Sequence, residues 1–275
     1  MTKHDTVAAA PVDVNRNDEI VKNDRLPSGD GDAATSTPDE HFDIRKVVRL
    51  FRESLLQVAE QNADDDVEDV DLRLYVRTWR ELNKLFPLLG RVFTFVQHDV
   101  ADKESILQAY VDGENAEHYT FVRYFHSAAS GGELRETAAS VQSMVSYETS
   151  SDSAHVTSPA SACRTFLRLH RALEFVVALI RDMHAADDQH SMAHIARGAY
   201  EHTLSVHHGW LVRKGVALAM HMLPTREKLI LQLCHDEKPD SAERDQVLTD
   251  LVVYGQRVYD RCQAMLLRHQ LTELP

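Results

Sequence analysis

The chain has 275 residues, a hydrophobic fraction of 43% and a formal net charge of −13. This length and apolar content suffice for one large domain with its own core. The acidic balance and the lack of a basic arm argue against a nucleic-acid-binding protein. The three widely spaced cysteines predict neither a disulfide framework nor a cysteine-based metal site.

Residues 1–40 are predicted to be a disordered acidic tail. They hold nine acids against four Lys and Arg residues, and few large apolar side chains. The N-terminus has no apolar signal core, and no apolar run in the chain reaches membrane-spanning length. We therefore expect a cytoplasmic protein whose folded domain occupies residues 41–275.

Helical periodicity dominates from His41 onward, and Gly (10) and Pro (8) are scarce, which predicts an all-α domain. The apolar spacing predicts a helix over 42–58 and a long helical stretch over 72–111 that Pro87 and Gly90 interrupt. The six acids in 64–71 predict a solvated loop between them. No segment shows the period of a strand.

The second half of the chain continues the helical pattern. It predicts a total of about eight helices that pack as a globular unit rather than a coiled coil. The expected helices after the first two stretches are 117–125, 134–148, 162–184, 191–206, 210–223, one that opens at Pro224, and 241–271.

Three arginines mark the helix predicted over 162–184. No acid lies between Asp152 and Glu174, and this gap contains Arg164, Arg168 and Arg171 at the i, i+4, i+7 spacing of one helix face. A cation in the first turn opposes the helix dipole, so a protein carboxylate or a ligand anion should offset it. The residues alone leave two alternatives open, a phosphate site and a solvated basic face paired with acids of a neighbouring helix.

Asp99 and Lys103 lie at the i, i+4 spacing of a helical ion pair. Large apolar residues surround Asp99 in the sequence, so partial burial is expected there, although an ordinary surface ion pair remains the alternative. If this helix packs against the arginine face, the cations, one carboxylate and His208 form a mixed site. Such a site suits a headgroup that carries a phosphate and an N–H or O–H group.

Histidines and one tryptophan complete the candidates. His190 and His194 have the i, i+4 spacing that can ligate zinc, but no second ligand pair accompanies them, so no metal site and no cofactor are predicted. Trp210 precedes Arg213 and Lys214, a combination typical of membrane interfaces. A tryptophan that caps the core is the alternative.

These segments give the chain a family resemblance. Over about 42–275 it resembles the glycolipid transfer protein superfamily and, within it, the ceramide-1-phosphate transfer proteins. The matching segments are Tyr75-Val-Arg-Thr-Trp-Arg-Glu-Leu82, Leu89-Gly-Arg-Val-Phe-Thr-Phe-Val96, Asp99-Val-Ala-Asp-Lys103, the stretch from Cys163 to Leu173, His208-Gly-Trp-Leu-Val-Arg213, Leu223-Pro-Thr-Arg-Glu227 and Leu271-Thr-Glu-Leu-Pro275.

The resemblance implies a two-layer all-α sandwich that encloses a hydrophobic lipid pocket with a polar headgroup site. It implies that Asp99 receives the sphingolipid amide and a hydroxyl, and that His208 donates to the acyl carbonyl. The residues it assigns to the phosphate are Lys103, Arg164 and Arg168, with Arg171 in support, and it assigns membrane contact to Trp210.

Arg168 is the position that bears on headgroup type. Glycolipid-specific members of the family carry a Trp there for stacking a sugar, so the resemblance implies phosphate rather than sugar. The chain departs from the family in the tail over 1–40, in an apparent insertion near 121–139, and in Pro87, which interrupts a helix that the family usually continues.

The expected function is a non-enzymatic, monomeric carrier of ceramide 1-phosphate between membranes, touching them only transiently. A glucosylceramide or other glycolipid carrier is one alternative. A second is a ceramide-phosphate sensor that acts through a protein partner, and a third is a metal-dependent hydrolase that uses the histidines.

Overall fold

The computed structural model describes residues 41–58, 67–113, 116–121, 138–156, 160–187, 190–234 and 241–274. In these ranges the chain is mostly helical, with a few short strands, so the all-α prediction is confirmed. The tail predicted over 1–40 lies outside the described residues and stays a prediction.

Helix α1 (Ile44–Ser54) is shorter than predicted because a hairpin follows it. Strand β1 (Leu55–Val58) pairs antiparallel with β2 (Val67–Val70), with Leu55 opposite Val70. The solvated loop predicted over 64–71 is therefore wrong for 67–71. Asp69 is fully buried there.

Asp69 is buried because it has polar partners. Its carboxylate accepts a hydrogen bond from the backbone amide of Gln142 at 3.1 Å, and its carbonyl accepts one from the Arg261 guanidinium at 3.3 Å. A buried polar group is tolerated when its hydrogen bonds are made in this way. The acid joins the hairpin to two helices that are distant in sequence.

The long apolar stretch breaks where the sequence predicts. Helix α2 (Leu72–Asn83) is followed by the single turn α3 (Phe86–Leu89), a 3-10 turn (Arg91–Phe93) and α4 (Thr94–Asp112). Gly90 joins the two short turns with φ +113°, a backbone conformation that residues with a Cβ rarely adopt. The chain thereby changes direction before α4.

The region of the apparent insertion is framed by short elements. Helix α5 (Ala116–Tyr119) leads into β3 (Thr120–Phe121), which pairs with β4 (Ala138–Ala139) ahead of α6 (Val141–Ser150). The helix predicted from 134 thus begins only at Val141. Ser140 caps its N-terminus, since its hydroxyl accepts a hydrogen bond from the amide of Ser143 at 3.1 Å.

The remaining elements include the helix that organises the core. They are α7 (Ala162–Ala185), α8 (Met192–His202), a 3-10 turn (Leu204–His207), α9 (Trp210–Met220), α10 (Arg226–Leu233) and α11 (Ser241–Arg268). Helix α7 packs against α4, α6, α8 and α11, and most of its residues are buried. Side chains on α7 are thereby held in fixed positions relative to α4.

The packing of α11 on α7 depends on one glycine. A Cβ added at Gly255 would lie 2.9 Å from Val177 Cγ2 and 3.5 Å from Phe51 Cε2. The missing side chain therefore lets α11 approach both α7 and α1 closely.

Candidate functional site

Helices α4, α7 and α9 line a cavity of about 520 Å³. Each contributes apolar residues at helical spacing, such as Val96 and Val100 from α4 and Val212 and Val216 from α9. The polar residues of its lining are Asp99, Lys103, Arg168, Arg171, His207 and His208. An apolar cavity with a few convergent polar groups suits an amphiphile that has one anionic end.

Lys103 and Asp99 form an ion pair one helical turn apart on α4. The ammonium also donates to the carbonyl of Asp99 at 3.3 Å. The side chain of Asp99 is 66% exposed and that of Lys103 only 16%. The expected partial burial of Asp99 is therefore wrong, because its apolar sequence neighbour Phe95 is itself exposed. Asp99 stands at the water-exposed side of the cavity.

Arg168 and Arg171 bring two guanidinium groups to the cavity. Arg171 Nη2 donates to the backbone carbonyl of Thr272 at 2.6 Å, which ties α7 to the C-terminal segment. Burial lowers the pKa of Arg171, an effect that the Glu273 carboxylate opposes and the Arg168 charge reinforces. Two cations that line one cavity gain from an anion between them.

The N-terminus of α7 is occupied by a protein carboxylate. The two Glu148 oxygens accept hydrogen bonds from the amides of Ala162 at 2.9 Å and Cys163 at 2.8 Å, and the Tyr119 hydroxyl donates to the same carboxylate at 2.9 Å. Of the two anions that the sequence leaves open for this end, the structure contains the protein carboxylate, which complements the helix dipole.

Arg164 lies in this first turn and is buried. It is not one of the described residues that line the cavity, so the structure brings two of the three arginines of the predicted face together there. A phosphate contact by Arg164 stays a prediction. The cationic part of the cavity lies one to two turns further along α7.

The two adjacent histidines lie before α9 and both line the cavity. Nδ1 of His208 lies 2.8 Å from the Tyr200 hydroxyl. Burial lowers the pKa of His208, which the Asp99 carboxylate opposes. Burial also lowers the pKa of His207, with a further lowering from Arg171. At neutral pH both imidazoles are therefore neutral, each with one donor and one acceptor nitrogen.

Several residues around the cavity could not be predicted from the sequence pattern. Tyr200, Thr272 and Glu273 reach the site from a different helix or from the C-terminal segment, through contacts that periodicity does not reveal. His207 could have been found as the neighbour of His208.

Trp210 is exposed at the start of α9, with 66% of its surface accessible, so the alternative of a tryptophan that caps the core is wrong. The Lys214 ammonium lies 6.0 Å from the centre of its ring, within the range of a cation–π contact. Leu211, Leu218 and Met222 are also mostly exposed. We call these four apolar residues the α9 outer face; Met222 lies two residues past the end of the helix. Helix α9 thus presents apolar residues both to the cavity and to the solvent.

The histidine pair considered as a zinc site lies elsewhere. His190 Nδ1 lies 2.6 Å from a carboxylate oxygen of Asp187, and its ring centre is 5.9 Å from that of His194. Among the described residues, no group of three or more His, Cys, Asp or Glu side chains is arranged to hold a metal ion. No helix in the described ranges is both long and apolar enough to cross a membrane.

Comparison with known proteins gives consistent matches. Residues 70–235 match the family model of the glycolipid transfer protein. The ceramide-1-phosphate transfer protein of Xenopus laevis is 30% identical, over 87% of this chain and 100% of its own. The crystal structures of the mouse ceramide-1-phosphate transfer protein in its apo form and of the human protein in complex with 12:0 ceramide-1-phosphate each have 27% identity and a TM-score of 0.69. Each match covers 85% of this chain and all of the other.

Proposed function

The chain belongs to the glycolipid transfer protein family, and from this premise we propose that it carries ceramide 1-phosphate between membranes without changing it chemically. The cavity carries this proposal, because its lining combines an apolar body with Lys103, Arg168 and Arg171. The human relative, whose crystal structure contains 12:0 ceramide-1-phosphate, supports the choice of lipid.

The headgroup contacts follow from the chemistry of the lining. Arg168 and Arg171 bind the phosphate through charge-assisted hydrogen bonds, and Lys103 joins them when the phosphate competes with Asp99 for its ammonium. Arg164 supports them from the first turn of α7. Because its carboxylate oxygens are exposed and accept hydrogen bonds, Asp99 receives the N–H and O–H groups of the sphingoid base.

His208 completes the headgroup contacts by donating to the acyl carbonyl of the lipid. A sugar headgroup would instead need an aromatic surface for stacking. At the position where glycolipid-specific family members carry a Trp, this chain has Arg168, whose guanidinium favours an anion. This difference favours phosphate over the alternative of a glycolipid.

The α9 outer face provides the membrane contact. A lipid leaves a bilayer slowly because each methylene exposed to water costs about 0.8 kcal/mol. A helix that is apolar on both sides can lie on the bilayer with one face and line the cavity with the other. The hydrocarbon chains of the lipid then pass directly from the bilayer to the cavity. We expect a monomer in the cytoplasm that binds membranes weakly and reversibly, because release is part of each cycle.

Transfer of fluorescent lipids between vesicles tests the proposal. We expect transfer of ceramide 1-phosphate and little transfer of glucosylceramide, with the recovered lipid unchanged in mass. Transfer of glucosylceramide alone would contradict the headgroup assignment, and loss of the phosphate would indicate hydrolysis. Binding of ceramide 1-phosphate without transfer would favour a sensor that acts through a protein partner.

A further inference from the structure

Tyr200 lies behind the cavity rather than in its lining. Its ring on α8 is 5% exposed and packs edge-to-face on Phe175, with 6.3 Å between ring centres and 87° between ring planes. Phe175 lines the cavity, whereas the Tyr200 hydroxyl reaches past it to Nδ1 of His208 at 2.8 Å. The tyrosine thus contacts His208 from outside the cavity, whereas a ligand would contact it from inside.

We infer that Tyr200 is a positioning residue whose hydroxyl donates to Nδ1 of His208 and so keeps the imidazole proton on Nε2. This inference rests on the proposed function, since it assigns a purpose to that proton. A neutral imidazole has one N–H and one acceptor nitrogen, and the hydrogen bond at one nitrogen determines which of the two carries the proton. With Nδ1 accepting, Nε2–H is the donor that a ligand meets.

The direction of this hydrogen bond follows from burial. Burial raises the pKa of the Tyr200 hydroxyl, although Arg213 opposes the rise, so the phenol keeps its proton. The protonated phenol of a buried tyrosine needs an acceptor, and Nδ1 of a neutral His208 is an acceptor within reach. The reverse arrangement, with Nδ1–H donating to the phenol oxygen, would leave the phenol proton to find another acceptor.

The tautomer determines which lipids the site accepts. With the proton on Nε2, His208 donates to a carbonyl oxygen such as that of an N-acyl chain. With the proton on Nδ1, the lone pair of Nε2 would face that oxygen and repel it. Tyr200 therefore favours a phosphorylated lipid with an acyl carbonyl over a phosphorylated sphingoid base without one, because polar groups left unpaired in a site disfavour the wrong ligand.

The tautomer can be read in the unmodified protein. Nitrogen-15 NMR of the histidine rings distinguishes a neutral Nε2–H imidazole from a neutral Nδ1–H imidazole. We expect the His208 ring to be the Nε2–H form in the wild type and a mixture of both forms in Tyr200→Phe. A wild-type His208 in the Nδ1–H form would overturn the inference without any variant.

Binding measurements test the consequence. Tyr200→Phe keeps the ring and removes the hydroxyl, so binding of ceramide 1-phosphate should weaken about 5- to 30-fold, as expected for loss of one hydrogen bond in a buried site. Binding of sphingosine 1-phosphate, which lacks the acyl carbonyl, should stay the same. An equal loss for both lipids would overturn the inference in favour of a purely structural tyrosine.

Two further variants make the test specific. Tyr110→Phe is the matched control, because Tyr110 is a half-buried tyrosine that donates to the carbonyl of Ala160 at 3.2 Å, and its loss should change neither lipid's binding. In a His208→Gln background the side-chain amide has its own donor, so Tyr200→Phe should have no further effect. An undiminished effect in that background would contradict the inference.

The same experiments separate this inference from the proposed function. If the wild type binds no ceramide 1-phosphate, the proposed function fails, whereas the NMR measurement still reports on the Tyr200–His208 pair. If ceramide 1-phosphate binds and Tyr200→Phe leaves both the tautomer and the affinity unchanged, the inference alone fails.

Discussion

The carboxylate of Glu148 accepts a hydrogen bond from the backbone amide of Cys163 at 2.8 Å, although the two residues lie 15 positions apart. This contact places an acid of α6 at the start of the helix that carries the site arginines. The backbone amides at that helix end have no partner within the helix, and here they donate to a protein carboxylate. The cations of the cavity must then bind an anion through their side chains rather than with the help of the helix terminus.

Replacing Glu148 by Gln should lower the free energy of unfolding by about 1–3 kcal/mol. The amide nitrogen of Gln cannot accept a hydrogen bond, so one of the two α7 amides loses its buried partner. Urea denaturation measures the change. The matched control is Glu201→Gln on α8, where the side chain is exposed and the midpoint should not move. An unchanged midpoint for Glu148→Gln would show that another group takes over the cap.

Replacing Arg168 by Leu should reduce transfer of ceramide 1-phosphate at least about tenfold, since a hydrogen bond to a charged group contributes about 1.5–3 kcal/mol. Thermal stability should change little because the side chain is exposed. Arg181→Leu is the control, an exposed arginine of the same helix that contacts Asp182. A large loss of stability in Arg168→Leu would indicate instead that this arginine pairs with a structural carboxylate.

Replacing Trp210 and Leu211 together by Ala should weaken binding to vesicles at least about a hundredfold and slow lipid transfer, because burial of such side chains contributes about 1.5–3 kcal/mol apiece. Affinity for lipid presented in detergent should stay constant. Vesicle flotation measures the membrane step. Leu267→Ala on α11 removes another exposed leucine and should have no effect. Loss of lipid affinity in detergent would place the two residues in the pocket rather than at the membrane.

His170 should make the protein less stable as the pH falls from about 6.5 towards 4. Its ring is buried, stacks on Tyr259 with 4.4 Å between ring centres, and lies 2.8 Å from the side-chain oxygen of Gln263. Burial lowers its pKa to about 4, which Gln263 opposes and Arg171 reinforces. Between these pH values the unfolded chain binds a proton that the folded chain does not, so stability rises with pH across this window.

The contribution of His170 is at most about 1.4 kcal/mol per pH unit within the window. Urea denaturation from pH 4.5 to 7 should show a shallower pH profile for His170→Phe than for the wild type. The exposed His202 is the control, and His202→Gln should keep the wild-type slope. Parallel profiles for the wild type and His170→Phe would contradict the prediction.

Local features of the fold could be predicted because local sequence determines them. Helix α7 begins at Ala162, where the pattern places it, since Ser161 provides a side-chain cap for the amide of Arg164. The break at Pro87 and Gly90 was equally visible, because a proline and a positive φ at a glycine act on their immediate neighbours. For the same reason, the ion pair of Asp99 and Lys103 could be predicted from their i, i+4 spacing.

Features that depend on distant residues could not be predicted. Asp69 belongs to a run of acids that is typical of a solvent-exposed loop, yet it is buried. Its carboxylate accepts from the amide of Gln142, 73 positions away, and its carbonyl from Arg261, 192 positions away. The hydrogen bond from Arg171 to Thr272 spans 101 positions. Periodicity reports which face of a helix is apolar, whereas the partner of a buried polar group depends on how the helices pack.

The pairing of β3 with β4 brings Thr120 opposite Ala139, so the chain enters and leaves the segment between them at neighbouring points. Helix α6 begins two residues after β4, so this pairing also fixes the start of the helix that carries Glu148 to the N-terminus of α7. A change in the β3–β4 pairing would therefore be felt at the arginine-bearing helix through the Glu148 cap.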